Sequence, residues 1–248
     1  MQQRDYTNET FQMGQILKPE LVAVRLDRKL DSMEVEFLLR FISPEKKEVI
    51  GNYYREEDQL RSLVADLLIR MVVMQYVDIE NNAIRFIHSE NGKPMLSGME
   101  GFHFNTSHAG DWVVCVFDNT EIGTDVEFVK TANLSISRSF FTEEEHYDIC
   151  NAPDPNDRFF DYWTLKESFI KHNGKGLSQA LNEFVILFSE NPIRVALKGK
   201  RVENVYLKQY SLDDAHKLAV CASSSSLPES ISYKSMDEII AFFSTISC

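Results

Sequence analysis

Basic residues are scarce: the 248-residue chain carries 26 Lys and Arg against 38 Asp and Glu, a formal net charge of -12 with His neutral. The acidity is spread over both halves with no basic patch, which excludes nucleic acid and anionic membrane as bulk partners. Long apolar runs are missing too. The longest, Leu63 to Val77, is interrupted by Asp66 and Arg70, and the opening MQQRDYTNETFQMGQ lacks the apolar centre of a signal peptide. Neither export nor membrane insertion is expected. Cysteine is limited to Cys115, Cys150, Cys221 and Cys248, with no CxxC spacing and only His146 near Cys150, a poor basis for structural zinc. Cys115 and Cys221 sit in apolar, strand-like runs as small core residues, and a reducing cytoplasm is the expected setting.

With 44% apolar and 26% charged residues the composition is that of a folded chain, long enough for one large domain or two smaller ones. Residues 1–20 read as a polar extension. Leu21–Leu26 reads as a strand, and Ser32–Phe41 as a short helix capped by Ser32. Ser43 and Pro44 open another helix, whose Lys46 and Lys47 oppose the helix dipole. The apolar spacing over Asp58–Val77 predicts a long buried helix. A strand over Ala83–Ile87, a turn at Asn91-Gly92, a hairpin of His103–His108 with Trp112–Phe117, and a neighbouring strand Ile122–Phe128 follow. Thr142 and Glu145 form a capping box, and a second long helix covers Arg158–His172. Strands then appear at 184–188, 195–197, 205–210 and 218–222, and a terminal helix at Met236–Phe243. Each long helix carries an acid and, four residues later, a base (Asp66 and Arg70, Glu167 and Lys171), and each is followed by a Cys-bearing strand. A duplicated α+β unit would explain the echo, although two copies are few.

Four patterns between residues 92 and 176 bear on chemistry. Asp125 and Glu127 stand two apart on a strand and share a face, where like charges repel unless a cation compensates. Taken alone, the pair reads as a solvated strand edge. Glu167 and Lys171 are one helical turn apart, alone no more than a weak surface ion pair, and Gly174-Lys-Gly176 alone is a helix end. If Glu167 converges on the Asp125/Glu127 strand, three hard oxygen donors form a Mg2+ site, and such a site usually meets a phosphate substrate. Asn105, Ser107 and His108 gather an amide, a hydroxyl and an imidazole at a strand end. Gly92-Lys93-Pro94 is a turn bearing a lysine; singly, both are ordinary surface features.

Together, GKP (92–94), FNTSH (104–108), IGTDVE (122–127), FFTEEE (140–145) and WTLKESFIKHNGKGLS (163–178), with FISPEKKE at 41–48, resemble the 4′-phosphopantetheinyl transferases of the surfactin-synthetase-activating type. The resemblance spans about residues 20 to 225. It implies an α+β fold made of a pseudo-twofold repeat of two similar halves, each with a long helix on a small antiparallel sheet. The expected division is an extension at 1–20, halves at 21–120 and 121–226, and a tail with a short helix at 227–248. It implies that Asp125, Glu127 and Glu167 hold Mg2+ against the pyrophosphate of coenzyme A. Lys171 and His108 would contact phosphates, Ser107 and Lys46 the 3′-phosphate region, Ser62 a neighbouring position, and Lys93 with Asn105 the nucleotide side.

The implied reaction is attack by a carrier-protein serine on the β-phosphate of coenzyme A, giving holo-carrier and 3′,5′-ADP. Lys171 and His108 would assist charge development, and Glu167, directly or through water, would take the serine proton. The partners implied are coenzyme A and acyl- or peptidyl-carrier domains, the enzyme itself being a monomer. Val49 departs from the family where a second basic residue often stands three residues after Lys46, so that one 3′-phosphate contact is either missing or supplied by Lys47 or Arg61. Glu145, an acid sometimes considered for the base, is explained by its capping box. A silent coenzyme A-binding protein and a Mg2+-dependent pyrophosphate hydrolase are the competing readings.

Overall fold

A computed structural model of the chain describes residues 18–246, so the extension expected at 1–20 falls almost wholly outside it. The first half runs β1 (Glu20–Arg25), α1 (Ser32–Leu38), α2 (Pro44–Gly51), α3 (Glu56–Tyr76), β2 (Phe86–His88), β3 (Pro94–Leu96), β4 (His103–Ala109) and β5 (Trp112–Asp118). Ser43 caps α2 as expected, its Oγ accepting the Lys46 N–H with Pro44 next. The cap of α1 is Asp31, not Ser32. Asp31 accepts the Glu34 N–H at 2.8 Å while the Glu34 carboxylate accepts the Asp31 N–H at 2.9 Å, a reciprocal box that a serine one residue later cannot make. α3 is buried without a break from Ser62 to Val73 and lies in the centre of this half. Its two internal charges, Asp66 and Arg70, pair at 2.5 Å, the condition for burying either. The strand expected at 83–87 is replaced by a 3-10 turn at Asn81–Ala83, and pairing begins only at Phe86.

The second half repeats the order of parts: β6 (Ile122–Phe128), α4 (Ser135–Phe140), α5 (Glu143–Asn151), α6 (Pro155–Asn173), β7 (Phe184–Leu187), β8 (Arg194–Leu197), β9 (Lys200–Arg201), β10 (Tyr206–Asp213) and β11 (His216–Ala222). α6 starts earlier than its apolar spacing suggests because Asp154 accepts the N–H groups of Asn156 and Asp157, with Pro155 in the first turn. The antiparallel order β4-β5-β1 in one half matches β10-β11-β6 in the other, with α3 against the first sheet and α6 against the second. This is the α+β repeat that the sequence suggested. β6 does lie beside the β4/β5 hairpin, but its ladder is with β11.

Residues 227–246 return to the first half. β12 (Ile231–Lys234) pairs in parallel with β1, and α7 (Met236–Ser244) lays Ile239 and Phe243 into the core around α3, where the Phe243 and Phe41 rings lie 4.8 Å apart. A third apolar cluster joins the two sheets: Leu21, Val114 and Val116 meet Ile122, Val126, Leu218 and Val220. Burying these faces against one another fixes the halves in one arrangement.

The edge strands make two different junctions. At β4 and β6 side chains replace the ladder: Asn105 Oδ1 accepts the Thr124 N–H at 2.9 Å and Ser107 Oγ the Val126 N–H at 3.3 Å, so the strands run parallel with polar groups between them. At the other edge β12 covers β1, while Lys208 and Tyr210 of β10 donate to carbonyls of Pro228 and Glu229 just before it. The open polar junction therefore occurs on one side only.

Candidate active site

Gly123 sets how closely α6 approaches β6. A Cβ at this position would stand 2.3 Å from the His172 backbone nitrogen and 2.4 Å from the Ser168 carbonyl oxygen, so only a residue without a side chain admits the helix. That approach brings Lys171 to Asp125. The Lys171 ammonium donates to Asp125 Oδ1 at 2.7 Å and to Ser107 Oγ at 3.0 Å, and the Ser107 hydroxyl donates to the same Oδ1 at 3.1 Å. The weak helical pair that spacing alone would give Lys171 and Glu167 is absent among the described residues. Elements of both halves, β4 on one side and β6 with α6 on the other, thus meet at one carboxylate.

The electrostatics of this cluster are unbalanced. Asp125 is 4% exposed, and its Oδ2 is buried without a hydrogen-bond partner among the described residues. Burial pushes its carboxyl above the ordinary range against the pull of Lys171. Burial, then the charge of Asp125, raises Glu127 to about 7, and the same two causes raise Glu167. Three acids facing one lysine are short of positive charge. His108, half-buried, is pushed below its usual value by burial and by the cations of Arg61 and Lys171, which leaves a neutral imidazole as a hydrogen-bonding group.

Among the described residues no three His, Cys, Asp or Glu side chains stand together closely enough to hold a metal ion as they are placed. The expected set Asp125, Glu127 and Glu167 shares one site without closing into a coordination sphere, and the charge at Asp125 is met by Lys171 instead. The chemistry still fits a hard divalent cation: the donors are carboxylate oxygens, one of them is an orphan among the described residues, and Glu127 and Glu167 are raised by burial and by the charge of Asp125 in a way a cation would relieve.

Other expected residues take different places. Lys93 Nζ donates to Glu121 Oε2 at 2.6 Å and to the carbonyls of His172 at 3.0 Å and Ile122 at 3.2 Å, so all three of its protons tie the β2–β3 turn to the start of β6 and the end of α6. His103 joins it on Glu121 at 3.2 Å. Asn105, 7% exposed, holds the β4–β6 junction through its amide oxygen. Lys46 on α2 and the buried Ser62 on α3 make no side-chain hydrogen bond among the described residues. Arg61, next to Ser62, donates to the Gly110 carbonyl at 2.8 Å and pairs with Asp58 at 2.6 Å. Val49 is half exposed.

At the far end of the junction the Trp112 indole N–H donates to Asp213 Oδ2 at 2.8 Å, and the other oxygen of Asp213 meets His216 Nδ1 at 2.8 Å. Glu145 is fully engaged away from the junction. It pairs with the completely buried Lys166 at 2.8 Å and accepts the Ile186 and Thr142 N–H groups, while Lys166 also donates to the Leu181 and Phe184 carbonyls. Sequence reasoning missed Gly123 and the pairing of Lys166. An isolated glycine inside a strand was the available signal for the first; no local signal marks the second.

A two-lobed α+β fold with carboxylates and a lysine converging at the lobe junction defines an enzyme-like site of charged side chains. Family models agree with that and sharpen it. The "4′-phosphopantetheinyl transferase, N-terminal" model matches residues 30–120 and the "4′-phosphopantetheinyl transferase superfamily" model residues 121–221, meeting where β5 gives way to β6. The chain is 37% identical over 224 residues to 4′-phosphopantetheinyl transferase Sfp of Bacillus subtilis (strain 168), covering 89% of this chain and 100% of that one. It is 35% identical over the same coverage to 4′-phosphopantetheinyl transferase ffp of Bacillus subtilis. The human L-aminoadipate-semialdehyde dehydrogenase-phosphopantetheinyl transferase is 30% identical over 215 residues, 75% of this chain and 69% of that one. The chain belongs to the 4′-phosphopantetheinyl transferase superfamily, in its Sfp-type branch.

Proposed function

We propose that the protein transfers the 4′-phosphopantetheine arm of coenzyme A to a serine of an acyl- or peptidyl-carrier domain, with Mg2+, releasing 3′,5′-ADP. The observation that carries the site assignment is the buried, unpartnered Oδ2 of Asp125 in a cluster of three acids facing Lys171. Asp125, Glu127 and Glu167 would hold Mg2+, which supplies charge neutralisation to a bound pyrophosphate. Lys171 and the neutral His108 donate to the phosphate oxygens on which charge builds as the bond to the leaving nucleotide breaks. Glu167, its carboxyl raised by burial and by Asp125, takes the proton from the serine hydroxyl. Lys46, Ser62 and Ser107 line the approach of the 3′-phosphate, with Arg61 beside them where Val49 supplies no charge. Lys93 and Asn105 act on the nucleotide side by holding the junction closed.

The setting is a reducing cytoplasm, a reading supported by the free thiols of Cys115, Cys150 and Cys221, and the enzyme acts as a monomer whose two halves supply the site. No helix among the described residues is long and apolar enough to cross a membrane. The metal assignment is tested by assaying transfer after chelation and on return of Mg2+: activity lost and regained is expected, and full activity in excess chelator contradicts it.

A further inference from the structure

The β4–β6 junction is tied across the halves at both ends. Lys93 and Glu121 close the end nearest the start of β6. At the other end the second half grips the turn between β4 and β5, Gly110 and Asp111. Gly110 has a φ of +52°, and a Cβ on it would stand 2.5 Å from His216 Nε2, 3.2 Å from His216 Cε1 and 3.5 Å from the Phe128 ring, so the imidazole edge lies directly on the turn. From the first half, Arg61 of α3 donates to the Gly110 carbonyl at 2.8 Å, and the Leu26 N–H to the Asp111 carbonyl at 2.7 Å.

His216 is itself anchored. Asp213 Oδ1 accepts from His216 Nδ1 at 2.8 Å and from the Ala215 N–H at 2.9 Å, and Oδ2 accepts the Trp112 indole N–H at 2.8 Å. Against the opposing effect of burial, these hydrogen bonds hold the Asp213 carboxyl at about 2, an anion that only accepts. The His216 side chain is 5% exposed, and its Nε2 is buried with no hydrogen-bond partner among the described residues. A buried nitrogen without a partner is a cost, which a phenyl ring packed on Gly110 would avoid. What the imidazole adds is the bond to Asp213. Through it Trp112, Asp213, His216 and Gly110 form one chain of contacts from β5 across to β11 and back to the β4–β5 turn.

That chain ends beside His108. Ser107 is tied to β6 through the Val126 N–H, and the next point of β4 that the second half grips, among the described residues, is Gly110. His108 stands between these two points, two residues before the turn. We propose that His216, anchored by Asp213, is a positioning residue for coenzyme A binding: by gripping the β4–β5 turn it sets the place of His108, so that the second half directs a phosphate contact carried by the first. The inference rests on the reading of His108 as a phosphate contact, and goes further by naming what places it. His216, being buried, acts only through the turn.

The test uses the full chain and compares His108→Ala, His216→Ala and the double variant by kcat/KM for coenzyme A. Asp213→Ala, at a side chain 30% exposed, breaks the same chain of contacts more gently. His108→Ala is expected to lose about tenfold, His216→Ala and Asp213→Ala about three- to fivefold, and the double variant no more than His108→Ala alone, because nothing is left to position. A merely structural His216 would multiply its loss on that of His108→Ala. A second readout needs no catalysis: in protein labelled with 13C at histidine Cε1, the His108 signal, identified among the six histidines by its loss in His108→Ala, should shift or broaden in Asp213→Ala. Multiplied losses in the folded double variant, undiminished kcat/KM in both Asp213→Ala and His216→Ala, or a His108 signal that Asp213→Ala leaves unchanged, overturns the positioning assignment alone. Undiminished kcat/KM in His108→Ala overturns the phosphate reading of His108 and the assignment with it.

Discussion

Gly123 lies directly under His172, so close that a single added carbon would stand 2.3 Å from its backbone nitrogen. The contact is backbone on backbone, and no rotamer change relieves it. Gly123→Ala must push α6 off β6, an overpacking that costs about 3 kcal/mol, the upper part of the usual range. It also separates Lys171 from Asp125. Transfer activity is expected to fall by more than the loss of folded protein explains, as measured by thermal melting and steady-state kinetics on the same preparation.

Glu145 on α5 packs beside α6 and Glu167 lies on α6 itself, and their environments assign them different work. Glu145 is 2% exposed and bound to Lys166, so Glu145→Gln strands a buried ammonium and should destabilise the fold by about 3–5 kcal/mol. Its surviving folded fraction keeps the pH dependence of the wild type. Glu167→Gln is expected to melt near the wild-type temperature while transfer falls at least about a hundredfold, the scale of a lost general base. Equal effects of the two changes on stability and rate would contradict this division.

Lys93 and Glu121 act as one strap between the halves. Either change breaks the bond the two share, while Lys93→Met also loses its bonds to the His172 and Ile122 carbonyls, so Lys93→Met should lower stability by about 1–2 kcal/mol, Glu121→Gln by less, and the double change by little more than Lys93→Met alone. Additive losses in urea unfolding would show that the pair is not coupled.

His172 gives the fold a pH dependence with a definite sign. It is buried, its Nε2 is 2.9 Å from Ser223 Oγ, and burial with the nearby Lys93 charge lowers it from 6.5 to about 4. Below pH 6.5 the unfolded chain takes up the proton while the folded chain does not. Stability from this residue is therefore complete above that pH and declines as pH falls to about 4, by on the order of 3 kcal/mol. Urea titrations across that window should show a shallower slope for His172→Gln; an identical slope contradicts the assignment.

Much of this was legible in the chain. Apolar spacing located both long helices, and Ser43 and Thr142 announced their caps. Asp31 and Ser32 are both good capping residues, and only the reach of Glu34 chooses between them. Spacing places Glu167 and Lys171 on one helix face, yet whether Lys171 turns to Glu167 or to Asp125 depends on the approach that Gly123 permits across 48 residues of sequence. The return of β12 to β1 was hidden for a similar reason: a short strand carries no mark of which distant edge it will cover.

The central claim is tested most directly by incubating the protein with an apo-carrier domain, coenzyme A and Mg2+, and following the carrier's intact mass together with nucleotide release. The account predicts a carrier heavier by one phosphopantetheine arm and one 3′,5′-ADP for each carrier modified. Nucleotide released without carrier, or carriers of several kinds left unchanged in mass, would contradict it.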